Sequence, residues 1–304
     1  MKRSTADLAP RGPVSRGPVS RGPALREVAG PDRVPLSQET FQALRNLLHD
    51  HSGIALAPHK LTMVQSRLAK RLRVLGLPDY EAYLEKVGET DSSEWAEFIN
   101  ALTTNLTSFF REGHHFTRLV ELLTASGAAT GKLRVWSAGC STGEEPYTLA
   151  MTLLKAFGPS ARIQIVATDL DTAVLETAAR GIYPMARIEG LSDEWKRFAF
   201  LRGTGERRGQ ARVRPEVRDL VSFQQMNLRD AAWPLEGGPF QAIFCRNVMI
   251  YFDKPTQREL LGRFRQTLAP GGLLFVGHSE ALLDAALGFQ SLGQTIYRRK
   301  EGTP

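Results

Sequence analysis

Several common signatures are missing from this chain. Only two cysteines occur in 304 residues. So few cannot build the disulfide framework of a small secreted domain, and a reducing, cytoplasmic setting is expected. No apolar run approaches the ~18 residues of a membrane span, so no membrane insertion is expected. The start, Met1-Lys-Arg-Ser-Thr-Ala-Asp7, leads into no apolar stretch and carries no sign of a signal peptide. Neither Gly-x-Gly-x-x-Gly nor a P-loop is present. No Ser/His/Asp or metal constellation stands out, and no metal is expected. What is present is an apolar fraction of 42%, which excludes a wholly disordered chain, and an excess of positive charge. Its 39 Lys+Arg face 32 Asp+Glu, a formal +7. That balance invites a nucleic-acid or membrane-surface partner, so the position of the charge matters.

Residues 1–35 repeat Arg-Gly-Pro at Arg11, Arg16 and Arg21. Proline at that period forbids a regular helix, and almost nothing here can enter a core. A disordered arm is expected, either a solvated tail or a charge-driven contact. Seven basic residues against three acids place +4 of the +7 in this arm. The remainder of the chain carries only +3.

Residues 36–104 read as a small all-α domain. Phe41, Leu44 and Leu48 follow helical spacing up to Gly53. Leu61, Val64, Leu68, Leu72 and Leu75 form a second apolar seam, stopped by Gly76 and Pro78. Two further helices are expected over Tyr80–Val87 and Trp95–Leu102. From about 125 onward strand and helix alternate. Strands are expected at Leu133–Ala138, Ile163–Thr168, Val221–Gln225, Phe240–Cys245 and Leu273–Gly277. Helices are expected at Glu145–Phe157, Thr172–Arg180 and Pro255–Leu268. A strand pair near Phe289–Tyr297 closes the edge. The alternation predicts an α/β fold with a parallel sheet covered by helices. Arg197–Leu201 and Gln210–Arg214 flank a glycine-rich turn and read as a hairpin inserted in that rhythm.

The segment Val135-Trp-Ser-Ala-Gly-Cys-Ser-Thr-Gly-Glu-Glu-Pro146 runs from strand through small residues into a helix. In open α/β sheets, ligands sit beyond the carboxyl ends of the strands. Glu144 and Glu145 suit a helix N-terminus but would repel a pyrophosphate there. A cofactor without phosphate and with positive charge fits better. Asp169, at the tip of the second strand, suits a ribose; capping the next helix is the alternative, a role also open to Asp171. Together these features suggest S-adenosylmethionine.

Longer strings carry a resemblance. Thr103-Thr-Asn-Leu-Thr-Ser-Phe-Phe-Arg-Glu112, the Ser137–Pro146 loop, Asp169, Phe244-Cys-Arg-Asn-Val-Met-Ile-Tyr-Phe-Asp253 and Leu268-Ala-Pro-Gly-Gly-Leu-Leu-Phe-Val-Gly-His-Ser-Glu280 resemble the chemotaxis receptor glutamate methyltransferases, the CheR family. The resemblance covers about 36–298. It implies a doubly wound Rossmann-like methyltransferase sheet over 105–304, with a small antiparallel β-subdomain inserted at about 184–220, preceded by the all-α domain. It implies transfer of a methyl group to glutamate carboxylates of chemoreceptors. Asn105, Thr107, Arg111, Glu144, Asp169, Asn227, Leu228, Cys245, Arg246 and Asn247 match cofactor-side positions. Arg111 and Tyr251 match residues facing the reacting methyl group; a domain-joining ion pair and a core aromatic are their structural alternatives.

The remaining candidates are weaker. His114 and His115 are expected to point apart on a helix. His278 is expected at a structural or pocket-edge position, and Cys140 to pack rather than react. Lys60, Arg67 and Arg71 share one line of the second helix, with no acid from Lys60 to Pro78. That line is either a solvated face or a docking face for the receptor's acidic helical bundle. In some members of the family the β-subdomain grips a receptor C-terminal tether, and the Gly203–Gly209 turn suits that role. A nucleic-acid methyltransferase is disfavoured, since no aromatic-polar string for holding a flipped base is seen. A non-catalytic cofactor-binding module would be expected to lose Arg111 and Tyr251, and both are present.

Overall fold

A computed structural model of the protein describes residues 34–89, 92–280 and 288–301. The expected disordered arm lies, over 1–33, outside the described residues. Four helices form the first domain: α1 (Gln38–Ser52), α2 (Leu61–Leu75), α3 (Tyr80–Gly88) and α4 (Glu94–Leu102). Their ends follow local chemistry. Ser37 caps α1 by accepting from the Thr40 N–H, and Asp79 caps α3 by accepting from Ala82. Within the apolar seam of α2, Val64, Leu68 and Leu72 pack with Phe41, Leu44, Tyr83 and Phe98 and Leu61 is half-buried, whereas Leu75, expected in the seam, is exposed at the helix end. Each buried side chain contributes roughly 1.5–3 kcal/mol by leaving water.

The basic line on α2 is corrected by this packing. Arg71 forms a two-pronged pair with Glu94, both contacts at 2.7 Å, and meets Glu97 at 3.0 Å. Arg67 donates to the carbonyls of Ala101 and Thr103 at 3.2 and 2.7 Å. The acids absent from α2 itself arrive from α4, which lies against it. Lys60 stays exposed.

Helix α5 (His114–Ala125) leads into the second domain. Its strands are β1 (Lys132–Ala138), β2 (Arg162–Asp169), β3 (Ile182–Pro184), β4 (Phe200–Arg202), β5 (Gln210–Val213), β6 (Val221–Gln225), β7 (Phe240–Cys245), β8 (Leu268–Val276), β9 (Phe289–Ser291) and β10 (Ile296–Arg299). Its further helices are α6 (Glu144–Phe157), α7 (Thr172–Arg180), α8 (Asp193–Ala199), α9 (Pro215–Arg218) and α10 (Lys254–Thr267). The main sheet is 7-stranded in the order β6-β2-β1-β7-β8-β10-β9. Its first five members run parallel, β10 pairs antiparallel with β8, and β9 pairs antiparallel with β10. Alternate residues serve opposite faces. Val135, Phe244 and Phe275 enter one core, and Trp136, Ile243 and Leu274 the other. Both faces are therefore covered, as expected of a doubly wound sheet.

The insert is a 3-stranded antiparallel sheet, β3-β5-β4, rather than a simple hairpin. Residues 197–199, expected in a strand, close α8 instead. Ser192 caps that helix by accepting from Trp195, acids open it, and Lys196 and Arg197 sit in its last turn. The period-2 look of Phe198 and Phe200 is the junction of helix and strand. Among the described residues, no helix is long and apolar enough to cross a membrane.

Candidate functional site

The chain leaves β1 toward β2 and β6 on one side, and returns to β7 and β8 on the other. A cavity of about 400 Å³ opens at that switch point, beyond the carboxyl ends of β1, β2 and β7. Residues from the all-α domain form part of its wall, including Ile54, Leu56 and Met63. The two domains meet there directly. Asn227 Nδ2 donates to the His51 carbonyl at 2.8 Å, and the Ala55 N–H donates to the Tyr251 carbonyl at 2.8 Å.

The loop after β1 lines the cavity. Gly139 and Cys140 donate their N–H groups to the Thr168 carbonyl at 2.8 and 2.9 Å. The Ser141 N–H donates to Asp169 Oδ2 at 2.8 Å, and that of Gly143 to the Cys140 carbonyl at 3.1 Å. Four amides of this loop, those of Gly139, Cys140, Ser141 and Gly143, are thus engaged within the protein. Two acids, Asp169 and Glu145, line the same space. Arg111, Arg246 and Lys60 line it as well, and Asp169 keeps lone pairs that can accept from hydroxyl donors.

Asp169 is held in the cavity wall, while Asp171 caps α7 by accepting from Ala173 and Val174. The capping role therefore falls to Asp171. Burial pushes the Asp169 carboxyl up to about 6, against the N–H bonds from Asp171 and Ser141. Asp171 also accepts from Asn105 Nδ2 at 2.8 Å and from the Thr103 hydroxyl at 2.7 Å. That joins the interdomain segment to the end of β2. Ser141 Oγ is buried without a partner, an open hydroxyl in the cavity wall.

Most sequence-predicted cofactor residues meet here: Asn105, Thr107, Arg111, Asp169, Asn227, Leu228, Arg246 and Asn247 all line the cavity. Two do not. Glu144 is 0% exposed and turned toward the insert, accepting from the Thr142 hydroxyl at 2.6 Å with Arg187 at 3.7 Å. Its neighbour Glu145 is the acid in the wall. One helical step of ~100° separates adjacent side chains, so a pair of acids at a helix start can present only one inward. Cys245 is wholly buried in the second sheet core, outside the cavity wall. Burial raises its thiol, and that of Cys140, well above the usual range, which keeps both neutral. Both act as small core residues.

Beneath Glu145 lies a buried ion network. Arg246 places one guanidinium nitrogen 3.4 Å from Glu145 and another 3.4 Å from Glu112. The Ser137 hydroxyl donates to Glu145 at 2.7 Å. Burial raises the Glu145 carboxyl, with Arg246 and Ser137 pulling the other way. Arg246 also donates to the Arg111 carbonyl. That bond pins a contorted segment: Phe110 and Glu112, on either side of Arg111, both adopt φ 54. From the insert, Arg187 donates to the Thr107 carbonyl at 3.1 Å. Arg111 and Tyr251 line the same cavity, and Leu106 and Ile250 at its edge are 75% and 50% exposed.

The histidines behave differently from expectation. His114 and His115 do not point apart; their ring centroids are 4.2 Å from each other, and His278 is 5.2 Å from His114. His115 bonds the Gln294 carbonyl through Nε2 at 2.9 Å, and burial lowers its pKa to about 4. Among the described residues no group of three or more His, Cys, Asp or Glu is arranged to hold a metal ion.

Comparison with known proteins gives the lineage of this site. Residues 39–103 match the family model described as the CheR methyltransferase all-alpha domain, and 105–298 match its SAM binding domain. A chemotaxis protein methyltransferase of Klebsiella aerogenes is 49% identical over 90% of this chain and 93% of its own length. Chemotaxis protein methyltransferase 2 of Pseudomonas aeruginosa is 47% identical over 89% of this chain and 96% of its own. The chemotaxis protein methyltransferase of Escherichia coli is 47% identical over 88% and 92%.

Proposed function

The chain belongs to the CheR methyltransferase family, and from that premise we propose that it is a protein-glutamate O-methyltransferase acting on chemoreceptors. Its reaction moves a methyl group from S-adenosylmethionine to glutamate side-chain carboxylates of methyl-accepting chemotaxis proteins. The products are glutamyl methyl esters and S-adenosylhomocysteine.

One observation carries this reading: the acids Asp169 and Glu145 share a cavity with Arg111 and Tyr251 beyond the carboxyl ends of the parallel strands. The cofactor is S-adenosylmethionine, which supplies a methyl group activated by its sulfonium. Asp169 spends part of its carboxylate on backbone N–H groups, and its remaining lone pairs suit ribose hydroxyls. Glu145, bonded by Ser137 and paired with Arg246, is the second acid in the wall. Asn227 and Leu228 approach from the β6 side, and Asn105, Thr107 and Asn247 close the other walls.

A glutamate has a reference pKa of about 4.3, so it arrives ionised and needs no general base. The protein's task is alignment, for which effective molarities reach the equivalent of about 7–11 kcal/mol in ideal cases. Arg111 orients the incoming carboxylate through charge-assisted hydrogen bonds. Tyr251, in the same cavity, can donate its hydroxyl or place its ring near the sulfonium.

Docking follows from what the surface leaves available. Lys60 lines the cavity edge and remains exposed, so it can attract an acidic helix. Arg67 and Arg71 support the all-α domain instead. The β3 and β4 edges of the insert suit addition of a receptor tether as an extra strand. The receptor's signalling helices place the activity in the cytoplasm. The test is to incubate the full chain with methyl donor and a receptor cytoplasmic fragment, then map the modified residues by mass spectrometry. Methylated glutamates support the reading. Methylated lysines, or methylation of added RNA in place of the receptor, overturn it.

A further inference from the structure

The strands β7 and β8 end side by side, with Cys245 paired to Val276. Beyond them the chain forms two turns that touch. The first, 247–252, carries Asn247 and Tyr251 into the cavity. The second, 277–280, carries Glu280, which is only 7% exposed. Its carboxylate does not enter the cavity wall. Oε2 accepts from the Asn247 N–H at 2.7 Å and from the Gly277 N–H at 2.6 Å. Oε1 accepts from the Ile250 N–H at 3.1 Å. Both oxygens are thus committed to backbone amides.

The first turn has little else to fix its start. Asn247 sits at φ 60, a left-handed conformation that asparagine adopts more readily than most residues with a side chain. The Tyr251 N–H closes on the Val248 carbonyl at 3.1 Å, and Gln257 Nε2 donates to the Met249 and Phe252 carbonyls at 2.8 and 3.0 Å. Gln257 therefore secures the carbonyls, and Glu280 secures amides on either side of Val248 and Met249. Charge-assisted hydrogen bonds are the stronger kind. Close approach is built in as well. A Cβ at Gly277 would lie 2.5 Å from Asn247 Nδ2, 2.8 Å from Glu280 Oε2 and 3.0 Å from the Asn247 N–H nitrogen. Glycine there is what lets the carboxylate bridge the two turns.

We infer that Glu280 is a positioning residue for the methyl-transfer site: by holding the amides of Asn247 and Ile250 it sets the turn that places Tyr251. The inference rests on the proposed reaction. It assigns Glu280 no contact with substrate or cofactor.

A double-mutant cycle on the full chain tests it, with Glu280→Gln, Tyr251→Phe and the combination. Turnover on a receptor cytoplasmic fragment, cofactor Kd and thermal midpoint are read for each. Glutamine presents an NH₂ donor where one of the backbone N–H groups now finds an acceptor. The account predicts a fall in kcat of about tenfold or more in Glu280→Gln, with KM for the receptor fragment nearly unchanged. It also predicts that Glu280→Gln costs little further once Tyr251 is phenylalanine. Equal losses of kcat with and without the Tyr251 hydroxyl would overturn it, as would unchanged kcat in Glu280→Gln. If the glutamine variant does not fold, the same cycle is run with Glu280→Asp, which keeps the charge but shortens the reach; the same non-additivity is expected. A wild-type chain that fails to methylate the receptor fragment would sink the proposed reaction itself, a result distinct from additivity in an active enzyme.

Discussion

The backbone N–H of Ala55 donates to the carbonyl of Tyr251 at 2.8 Å. The all-α domain is therefore fastened to the turn that carries Tyr251 into the cavity wall. The α1–α2 connection thus supplies cavity wall and anchors the turn below it.

Gly53 is the sensitive point of that connection. It ends α1 at φ 75, and a Cβ there would lie 2.9 Å from Arg229 Cδ and 3.1 Å from Phe252 Cδ1. Gly53→Val should cost about 1–3 kcal/mol of stability from backbone strain. It should also weaken cofactor binding severalfold, on the order of 1 kcal/mol. Thermal denaturation and titration calorimetry check the pair of effects. A loss of stability with unchanged cofactor Kd would mean that the connection is structural only.

Arg111 should matter for turnover more than for binding. Arg111→Ala is expected to lower kcat on the order of 100-fold, since misplacing a reacting group is costly. Cofactor Kd should move much less. The guanidinium also donates to the Leu106 carbonyl at 2.6 Å, so some loosening of the segment is expected. Arg111→Lys separates the contributions: it keeps charge but loses the forked geometry, and should recover turnover only in part.

Asp169 gives the site a pH dependence. Its folded pKa of about 6 lies above the ordinary carboxylate value of 3.8. In the free protein this group adds stability in acid, and that contribution is lost as pH rises through about 6. Cofactor binding has the opposite sign, because a ribose hydroxyl bonds best to the ionised carboxylate. Affinity for S-adenosylmethionine should therefore hold above pH 7 and fall below about 6, approaching tenfold per unit. Asp169→Asn should bind weakly and lose that dependence. Calorimetric titrations across pH 5 to 8 check both statements.

Arg71 and Lys60 should separate stability from docking. Arg71→Ala leaves Glu94 uncompensated, with a side chain only 5% exposed, so a loss of about 3 kcal/mol is expected. Lys60→Glu should leave the thermal midpoint unchanged and raise KM for the receptor fragment severalfold. An unchanged KM would confine Lys60 to a solvated role.

Much of this was legible in the sequence because local patterns report burial. The seam Val64, Leu68, Leu72 and the alternating strands appear as read, since periodicity follows directly from which face meets the core. What one stretch cannot show is what arrives from another. Arg71 looked available because its own helix has no acid, while Glu94 comes from α4. Glu144 and Glu145 are adjacent, and only the orientation of α6 decides which lines the cavity. The capping choice between Asp169 and Asp171 turned on where β2 ends. The bridging role of Glu280 was not legible, because two of its three partners, the amides of Asn247 and Ile250, lie 33 and 30 residues earlier in the chain. The histidines misled for a similar reason: the Gln294 carbonyl and His278 come from distant turns.

The central claim is that this cavity places a methyl group on a receptor glutamate. The most direct measurement uses donor labelled in the methyl group, the full chain and a receptor cytoplasmic fragment, followed by mild alkali and capture of volatile label. Carboxyl methyl esters hydrolyse to methanol under those conditions, so the account predicts that receptor-bound label is released as methanol. It further predicts that release disappears when the receptor's accepting glutamates are replaced by alanine. Label that stays on the receptor through alkali would contradict the account.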